Sequence, residues 1–146
     1  MVGKPKIFII QACRGYQTDP GVKVSVTDAL KDEESRSQTL EPQSIKLPVE
    51  ADFIFAYSTV PGFYSWRNGA NGSWFIQALC QVLDELKDSP VEIRKLLTRV
   101  NRMVAQNFQS SNPDNADFHK MKQVPCITSM LTKDLFLCAK KKVTMW

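Results

Sequence analysis

The segment formed by residues 6–12 is rich in β-branched and aromatic residues and ends shortly before Gly15. It does not alternate between apolar and polar residues, so it is more typical of a buried strand in a parallel sheet than of a half-exposed strand. Cys13 follows this run directly and should therefore lie at the carboxyl end of a strand. Open α/β sheets form their binding crevices at that end, which makes Cys13 the first candidate for a functional residue.

The remaining apolar segments predict an α/β fold. Residues 52–57 form a second apolar run and predict another strand, while apolar side chains recur at three- and four-residue steps through residues 73–86, as in an amphipathic helix. A second helix is predicted to start within residues 89–92, Ser-Pro-Val-Glu, which have the form of a capping box with proline at the first helical position. Residues 124–131 and 134–137 predict closing strands.

Residues 16–43 are polar and charged, and no hydrophobic period continues through them. They predict an exposed linker. A structureless stretch of this length is unusual inside a compact domain unless it is functional or is cut by a protease.

Composition narrows the class of protein. The chain has 146 residues, of which 43% are hydrophobic, and a net charge of +4 without a long basic run. These values predict one soluble domain and give no reason to expect nucleic-acid binding. The longest apolar run near the amino terminus is too short for a signal peptide, and no later segment could span a membrane.

The four cysteines are irregularly spaced and include no C-x-x-C pair, so neither a zinc site nor a disulfide framework is predicted. Cys80, Cys126 and Cys138 lie in apolar runs, where buried thiols are common. We therefore expect reduced thiols, a cytoplasmic location, and no metal or cofactor.

Residues 11–15 read Gln-Ala-Cys-Arg-Gly, which is the pentapeptide found around the nucleophile of caspases. Taken alone, Cys13 could also be a buried structural thiol at a strand end. Four further segments in the expected order make the chain resemble an executioner-type caspase from about residue 4 to residue 137: AYST at 56–59, YSWR at 64–67, GSWF at 72–75 and SMLT at 129–132.

The resemblance implies a caspase-hemoglobinase fold, with a mostly parallel sheet flanked by helices and with the amino-terminal strands and helices missing. Residues 1–28 would be the end of the large, catalytic subunit, 29–44 the intersubunit linker and 45–146 the small subunit. Activation would require a cut after Asp28, because the other candidate, Asp19, precedes Pro20. Two such pairs of large and small subunits would form a homodimer through the strand at 124–131.

The resemblance also makes Cys13 the nucleophile, which needs a base to remove its proton. In the family that base is a histidine about fifty residues before the cysteine, whereas only twelve residues precede Cys13 here. The one histidine, His119, follows the second helix, where the family has a histidine that is not catalytic. We therefore expect the base to be absent from this chain and the chain alone to be inactive.

Gln11 and Arg67 match the family residues that hold the aspartate side chain of the substrate, and Ser65 and Arg67 match those that bind its backbone. Arginine suits this task because its planar guanidinium binds a carboxylate with two parallel hydrogen bonds and stays protonated. The alternative for Arg67 is a surface ion pair in a loop.

Aromatic residues match the walls of two further subsites. Tyr64, Trp66 and Phe118 correspond to the second subsite, and Asn68 and Trp74 to the fourth. Trp74 could equally belong to the helix core, since an indole can pack one face and present its edge to a ligand. Some executioners close the fourth subsite with a phenylalanine where this chain has Ser110 and Ser111.

The function implied by the resemblance is that of a cysteine-type endopeptidase, made as a zymogen, that cleaves proteins after aspartate in apoptosis. The alternative is a non-catalytic, truncated homologue that pairs with full-length caspases through its small subunit and modulates them. Neither role involves nucleic acid or a membrane.

Overall fold

The computed structural model describes residues 4–22, 48–69, 71–86 and 89–138. The predicted intersubunit linker at 29–44 and Asp28 lie outside these residues. Residues 16–22, the start of the stretch at 16–43, are described, and Gln17 and Asp19 form β-bridges with Phe63 and Lys122. The expectation of a structureless linker is therefore wrong for this part, because it pairs with distant segments. The described chain contains the following elements: β1 (Lys6–Ile10), β2 (Phe53–Tyr57), β3 (Arg67–Asn68), β4 (Gly72–Ser73), α1 (Trp74–Asp84), β5 (Val91–Glu92), α2 (Ile93–Asn107), a 3-10 turn (Ala116–Phe118), β6 (Cys126–Ser129) and β7 (Phe136–Leu137).

A three-stranded sheet in the order β1-β2-β6 forms the centre of the fold. β1 and β2 are parallel, with Ile7 opposite Ile54, whereas β2 and β6 are antiparallel. The parallel pair brings the carboxyl ends of β1 and β2 to the same edge of the sheet. The segments that follow these two strands, residues 11–17 and 58–66, therefore meet there.

The hydrophobic core lies between one face of β2 and the two helices. Ile54 and Ala56 point into it and are fully or almost fully buried. Both helices direct their apolar stripes at this face, with these buried side chains: Trp74, Phe75, Ala78, Leu79, Val82, Ile93, Leu96, Leu97, Val100 and Val104. Each large apolar side chain buried in this way contributes about 1.5–3 kcal/mol.

The predicted start of the second helix is wrong by a few residues. Ser89 and Pro90 precede the helix, because Val91 and Glu92 pair with β7 instead. Glu92 is itself the N-cap, and its carboxylate accepts a hydrogen bond of 3.1 Å from the Lys95 N–H. Pairing with β7 therefore moves the N-cap from Ser89, which the local sequence favours, to Glu92.

The expectation that residues 6–12 form a strand of a parallel sheet is confirmed for Lys6–Ile10, but the expected burial is not found in the described chain. Ile7, Phe8 and Ile9 are 42%, 43% and 41% exposed. Within the described residues β1 has a neighbouring strand on one side only, and the helices cover β2. The residue types are those of a buried strand, but burial requires neighbours.

The three cysteines outside the motif are less buried than predicted. Cys80 and Cys138 are exposed and Cys126 is partly buried, and none of the four cysteines forms a disulfide within the described residues. Cys80 lies on the outer side of α1, away from the stripe that packs on the core, and Cys138 follows a two-residue strand. An apolar neighbourhood in sequence did not place these thiols in the core.

Neither helix of the described segments is long and apolar enough to cross a membrane. Residues 4–22, 48–69, 71–86 and 89–138 also contain no group of three or more histidine, cysteine or acidic side chains that could hold a metal ion.

Candidate active site

Cys13 lies just beyond the carboxyl end of β1, as the sequence predicts, and it is exposed. The backbone N–H of Ser65 donates to the sulfur atom at 3.4 Å, and the thiol faces the Ser65 carbonyl oxygen at 3.7 Å. The sulfur therefore rests against one edge of the segment that the resemblance assigns to substrate backbone.

Two buried serines, Ser58 and Ser65, join residues 11–13 to the segment at 58–66. The Ser58 hydroxyl donates to the Ala12 carbonyl at 3.0 Å and accepts from the Ala12 N–H at 3.2 Å. The Ser65 hydroxyl donates to Ser58 Oγ at 2.9 Å and accepts from Gln11 Nε2 at 2.8 Å. Hydrogen bonds thus hold Ser65 to Gln11 and Cys13, each more than fifty positions away in sequence.

Backbone hydrogen bonds join the residues that follow Cys13 to the loop that follows β2. Four hydrogen bonds of 2.8–3.1 Å join residues 14–17 to residues 62–64: Arg14 N to Phe63 O, Gly62 N to Arg14 O, Gln17 N to Gly62 O, and Tyr64 N to Gln17 O. A Cβ atom on residue 15 would collide with the carbonyl group of Gly62. Gly15 is therefore required for this close approach, which explains its place in the motif.

The short strand β3 presents an open edge. The N–H of Trp74 donates to the Trp66 carbonyl at 3.3 Å, so the neighbouring pair Arg67 and Ser73 is of the non-hydrogen-bonded type. The N–H and C=O of Arg67 consequently point away from β4, on the same edge as those of Ser65. The Arg67 side chain is exposed and has no hydrogen bond or ion pair with another described residue, so the surface ion pair considered from the sequence is not formed there.

The predicted subsite aromatics form one cluster. Trp66 stacks on Trp74 with ring centroids 5.6 Å apart, while Phe118 meets Trp66 and Tyr64 edge-on at 5.9 and 6.1 Å. Trp74 is 8% exposed and also packs 5.6 Å from Phe108. It therefore belongs to the hydrophobic core and also lines the aromatic cluster, and its part in the fourth subsite stays a prediction.

An open pocket of 350 Å³ lies beside this cluster, and it contains both residues predicted for the fourth subsite. Its lining is Trp66, Arg67, Asn68, Trp74, Gln109, Ser110, Ser111, Asn112 and Phe118. The indole rings supply apolar walls, whereas the 109–112 side is polar. Phe108 approaches Trp74 from the end of α2, a contact that the sequence analysis did not foresee.

His119 is turned into its own loop. Its Nδ1 accepts a 3.2 Å hydrogen bond from the Asn112 N–H, and no hydrogen bond joins it to Cys13 in the described segments. The loop is fixed by the Ser110 hydroxyl, which donates to the Phe118 carbonyl and accepts from the Met121 N–H. This arrangement agrees with the expectation that His119 is not the catalytic base.

Sequence reasoning missed Ser58 and Gln123. Ser58 directly follows β2 at its carboxyl end, so the signal that singled out Cys13 could have identified it as well. Gln123 is 3% exposed and bonds both Ser58 and Trp66, but it lies in a loop without any recognisable pattern.

Comparison with known proteins gives consistent results. A family model described as the caspase domain matches residues 1–136. The chain is 52% identical to caspase-7 of Gallus gallus and 54% identical to caspase-3 of Mus musculus over 136 residues, or 93% of this chain. These matches cover 42% and 45% of the two relatives, so the chain spans less than half of their length. The crystal structure of caspase-1 from Spodoptera frugiperda superposes with a TM-score of 0.79 at 45% identity, covering 99% of this chain and 50% of that one.

Proposed function

This chain belongs to the caspase family and has its α/β fold, and on that premise we propose that it supplies the nucleophile and substrate-binding strand of a cysteine endopeptidase that cleaves after aspartate. The observation that carries the proposal is the contact between the Cys13 sulfur and the open edge formed by Ser65 and Arg67. A peptide added as a strand to that edge would bring a carbonyl carbon to the sulfur.

The chemistry follows from that position. The Cys13 thiolate attacks the carbonyl carbon and forms a C–S bond, and the oxyanion can be stabilised by the backbone N–H of Cys13. The C–N bond then breaks as the leaving amine takes a proton, and water hydrolyses the thioester. Both proton transfers need a general acid–base group, and His119 is occupied by Asn112. We propose that a histidine outside the described residues is required, and that the chain alone does not turn over substrate.

Arg67 is suited to select aspartate. Its guanidinium is exposed and has no partner among the described residues, so it can pair with a carboxylate from a bound peptide. The Gln11 amide donates to the Ser65 hydroxyl, two positions before Arg67. Arg67 would be the main source of this preference, because its planar guanidinium can hold a carboxylate with two parallel hydrogen bonds.

Affinity labelling of the purified chain tests the proposal without requiring turnover. An acyl-peptide aspartyl chloromethyl ketone should alkylate Cys13 much faster than the matched asparaginyl reagent, with iodoacetamide reporting intrinsic thiol reactivity. Arg67→Ala should remove the preference and Arg67→Lys should not restore it, since lysine lacks the planar fork. Cys13→Ala is the control for labelling at other cysteines. Equal rates for the two peptides in the wild-type chain would contradict the assignment.

Turnover is tested with an aspartyl peptide reporter. The chain alone should be inactive, and activity should appear when the amino-terminal half of a relative, expected to carry the histidine, is supplied in trans. Loss of a catalytic group costs several orders of magnitude, so the contrast should be large. Hydrolysis by the chain alone that disappears in Cys13→Ala would show that another residue serves as base.

We also propose that two copies pair through β6. This strand bonds β2 on one side only within the described chain, and an unpaired strand edge is a template for association. Charged substitutions at Ile127 and Ser129 should give a folded monomer on a sizing column, and an unchanged dimer content would count against β6.

In the alternative, modulatory role, the same edge of β6 would pair with a full-length caspase. Adding the chain should then alter the activity of that caspase even when the chain carries Cys13→Ala.

Activation is proposed to follow a cut after Asp28, which would separate the predicted large-subunit end at residues 1–28 from the linker at 29–44 and the small subunit at 45–146. The competing site is less suitable, because the Asp19 carbonyl accepts a 2.7 Å hydrogen bond from the Lys122 N–H and Pro20 follows it. Digestion with an active caspase should expose Ala29 as the new amino terminus. A new terminus at Pro20 would overturn the choice.

The setting proposed for this activity is the cytoplasm, in apoptosis. All four cysteines are free thiols, which fits a reducing compartment. The proposed substrates are proteins with an accessible aspartate before the cleaved bond.

A further inference from the structure

Gln123 occupies a position that no feature of the sequence explains. Its side chain is almost fully buried, at 3% exposure. The amide Nε2 donates to the Ser58 carbonyl at 2.7 Å, and Oε1 accepts from the Trp66 N–H at 2.6 Å. Both ends of one side chain are therefore bonded to backbone groups, as a neighbouring strand would be.

The hydrogen bonds of Trp66 determine which edge of the substrate-binding strand is open. Gln123 Oε1 accepts from the Trp66 N–H, and the Trp66 C=O accepts from the Trp74 N–H. Backbone groups of successive residues in an extended strand point to opposite sides. With both groups of Trp66 satisfied inside the protein, those of Ser65 and Arg67 must face outward, towards Cys13.

The same amide also connects this strand to the nucleophile segment. Ser58, whose carbonyl accepts from Gln123, is hydrogen-bonded to Ala12 through its hydroxyl. In addition, the Ser58 N–H donates to the Ile10 carbonyl at 2.9 Å. Gln123 therefore adds a link between the open edge and residues 10–12, beside the direct hydrogen bonds that Ser65 makes with Ser58, Gln11 and Cys13.

We propose that Gln123 is a positioning residue for substrate binding, which acts by pinning Trp66 to Ser58 so that the Ser65–Arg67 edge is presented to the peptide backbone beside Cys13. The proposal rests on the function proposed above. It implies that Gln123 contributes to affinity through the peptide's backbone hydrogen bonds, although it does not touch the peptide.

The test compares two acyl-peptide aspartyl aldehydes, one of them methylated on the backbone nitrogen of the aspartate. That N–H is expected to bond the Ser65 carbonyl, so methylation should weaken binding to the wild-type chain by about tenfold or more, equivalent to one good hydrogen bond. In Gln123→Leu, of similar volume but without polar atoms, the ratio of the two dissociation constants should fall towards one. Gln81→Leu, the same change at an exposed position on α1, should leave the ratio unchanged.

A purely structural role for Gln123 predicts a different outcome, because general destabilisation would weaken both aldehydes by the same factor and preserve the ratio. That result would overturn the inference alone. Failure of the wild-type chain to bind either aldehyde would overturn the proposed function and this inference together.

Amide hydrogen exchange in the wild-type chain gives a second measurement that does not depend on a folded variant. The Trp66 N–H should exchange slowly and the Arg67 N–H rapidly, and adding the unmethylated aldehyde should slow Arg67 selectively. Equal exchange at the two positions would contradict the arrangement of the edge on which the inference depends.

Discussion

β1 and β2 are both five-residue apolar strands, and they pair along their whole length, yet their surroundings differ. Ile54 in β2 is fully buried, whereas its register partner Ile7 in β1 is 42% exposed. The helices α1 and α2 cover β2, and within the described residues β1 has only β2 beside it. The β2 side of the sheet therefore contributes most of the stability, whereas Cys13, the proposed nucleophile, follows the less covered strand β1.

The sharpest test of this difference is a matched pair of substitutions. Ile54→Ala removes side-chain atoms from the packed core and should cost about 2–5 kcal/mol. Ile7→Ala should cost about 1 kcal/mol, because much of that side chain already contacts solvent. Equilibrium urea unfolding measures both values. Equal losses would mean that β1 is covered in solution, and a repeat at tenfold lower concentration would show whether self-association covers it.

A second pair of variants tests how tightly the backbone is packed in the loop that follows β1. Gly15→Ala places a Cβ against the Gly62 carbonyl group and should cost about 1–3 kcal/mol, with slower alkylation of Cys13. Gly69→Ala, in the β3–β4 turn with open space around it, should stay within about 0.5 kcal/mol of the wild type. A neutral Gly15→Ala would show that the loop after Cys13 is not tightly packed.

A smaller effect is expected at the amino terminus of α2, on the β2 side. Burial of Glu92 opposes ionisation, but hydrogen bonds from Arg94 and Lys95 outweigh it and lower the pKa of that carboxyl below its ordinary 4.5. Glu92→Gln should cost about 1 kcal/mol at pH 7, as typical for loss of a helix cap.

The sign of the pH dependence follows from the lowered pKa. The stabilisation by the Glu92 carboxylate is fully present above its unfolded pKa and is lost as the pH falls through the folded value. The difference in unfolding free energy between wild type and Glu92→Gln should therefore shrink below about pH 4.5. A difference that stays constant from pH 7 to pH 3 would indicate that the charge is not responsible.

The smallest effect is expected at Asp134, which pairs with Arg94 on the surface. Both side chains are at least half exposed, so Asp134→Asn should cost no more than about 0.5 kcal/mol and less in high salt. A larger loss would show that the three-member network with Glu92 acts cooperatively.

Local sequence patterns were sufficient for the positions of β1, β2, α1 and α2, because hydrophobic periodicity reports which face of an element meets the core. They failed where pairing with a distant segment overrode local preference. Residues 89–92 illustrate this, since β7 draws Val91 and Glu92 into a strand and moves the helix cap to Glu92.

For the candidate site, Cys13 could be identified from its motif and its place after a predicted strand, and Gln11, Ser65, Arg67 and the aromatic residues from the family resemblance. The contacts of Gln11 and Cys13 with Ser65 and the stacking of Trp66 on Trp74 join distant segments, so they are seen only in the folded chain.

The hydrogen-bond partners of Ser58 and Gln123 are likewise seen only in the tertiary structure. Gln123 bonds Ser58 and Trp66 from 65 and 57 positions away, and a lone glutamine in a loop carries no local pattern that reveals such partners. Strand and helix propensities act over neighbouring residues, whereas the hydrogen bonds of a buried amide depend on which distant backbone groups the fold leaves unpaired.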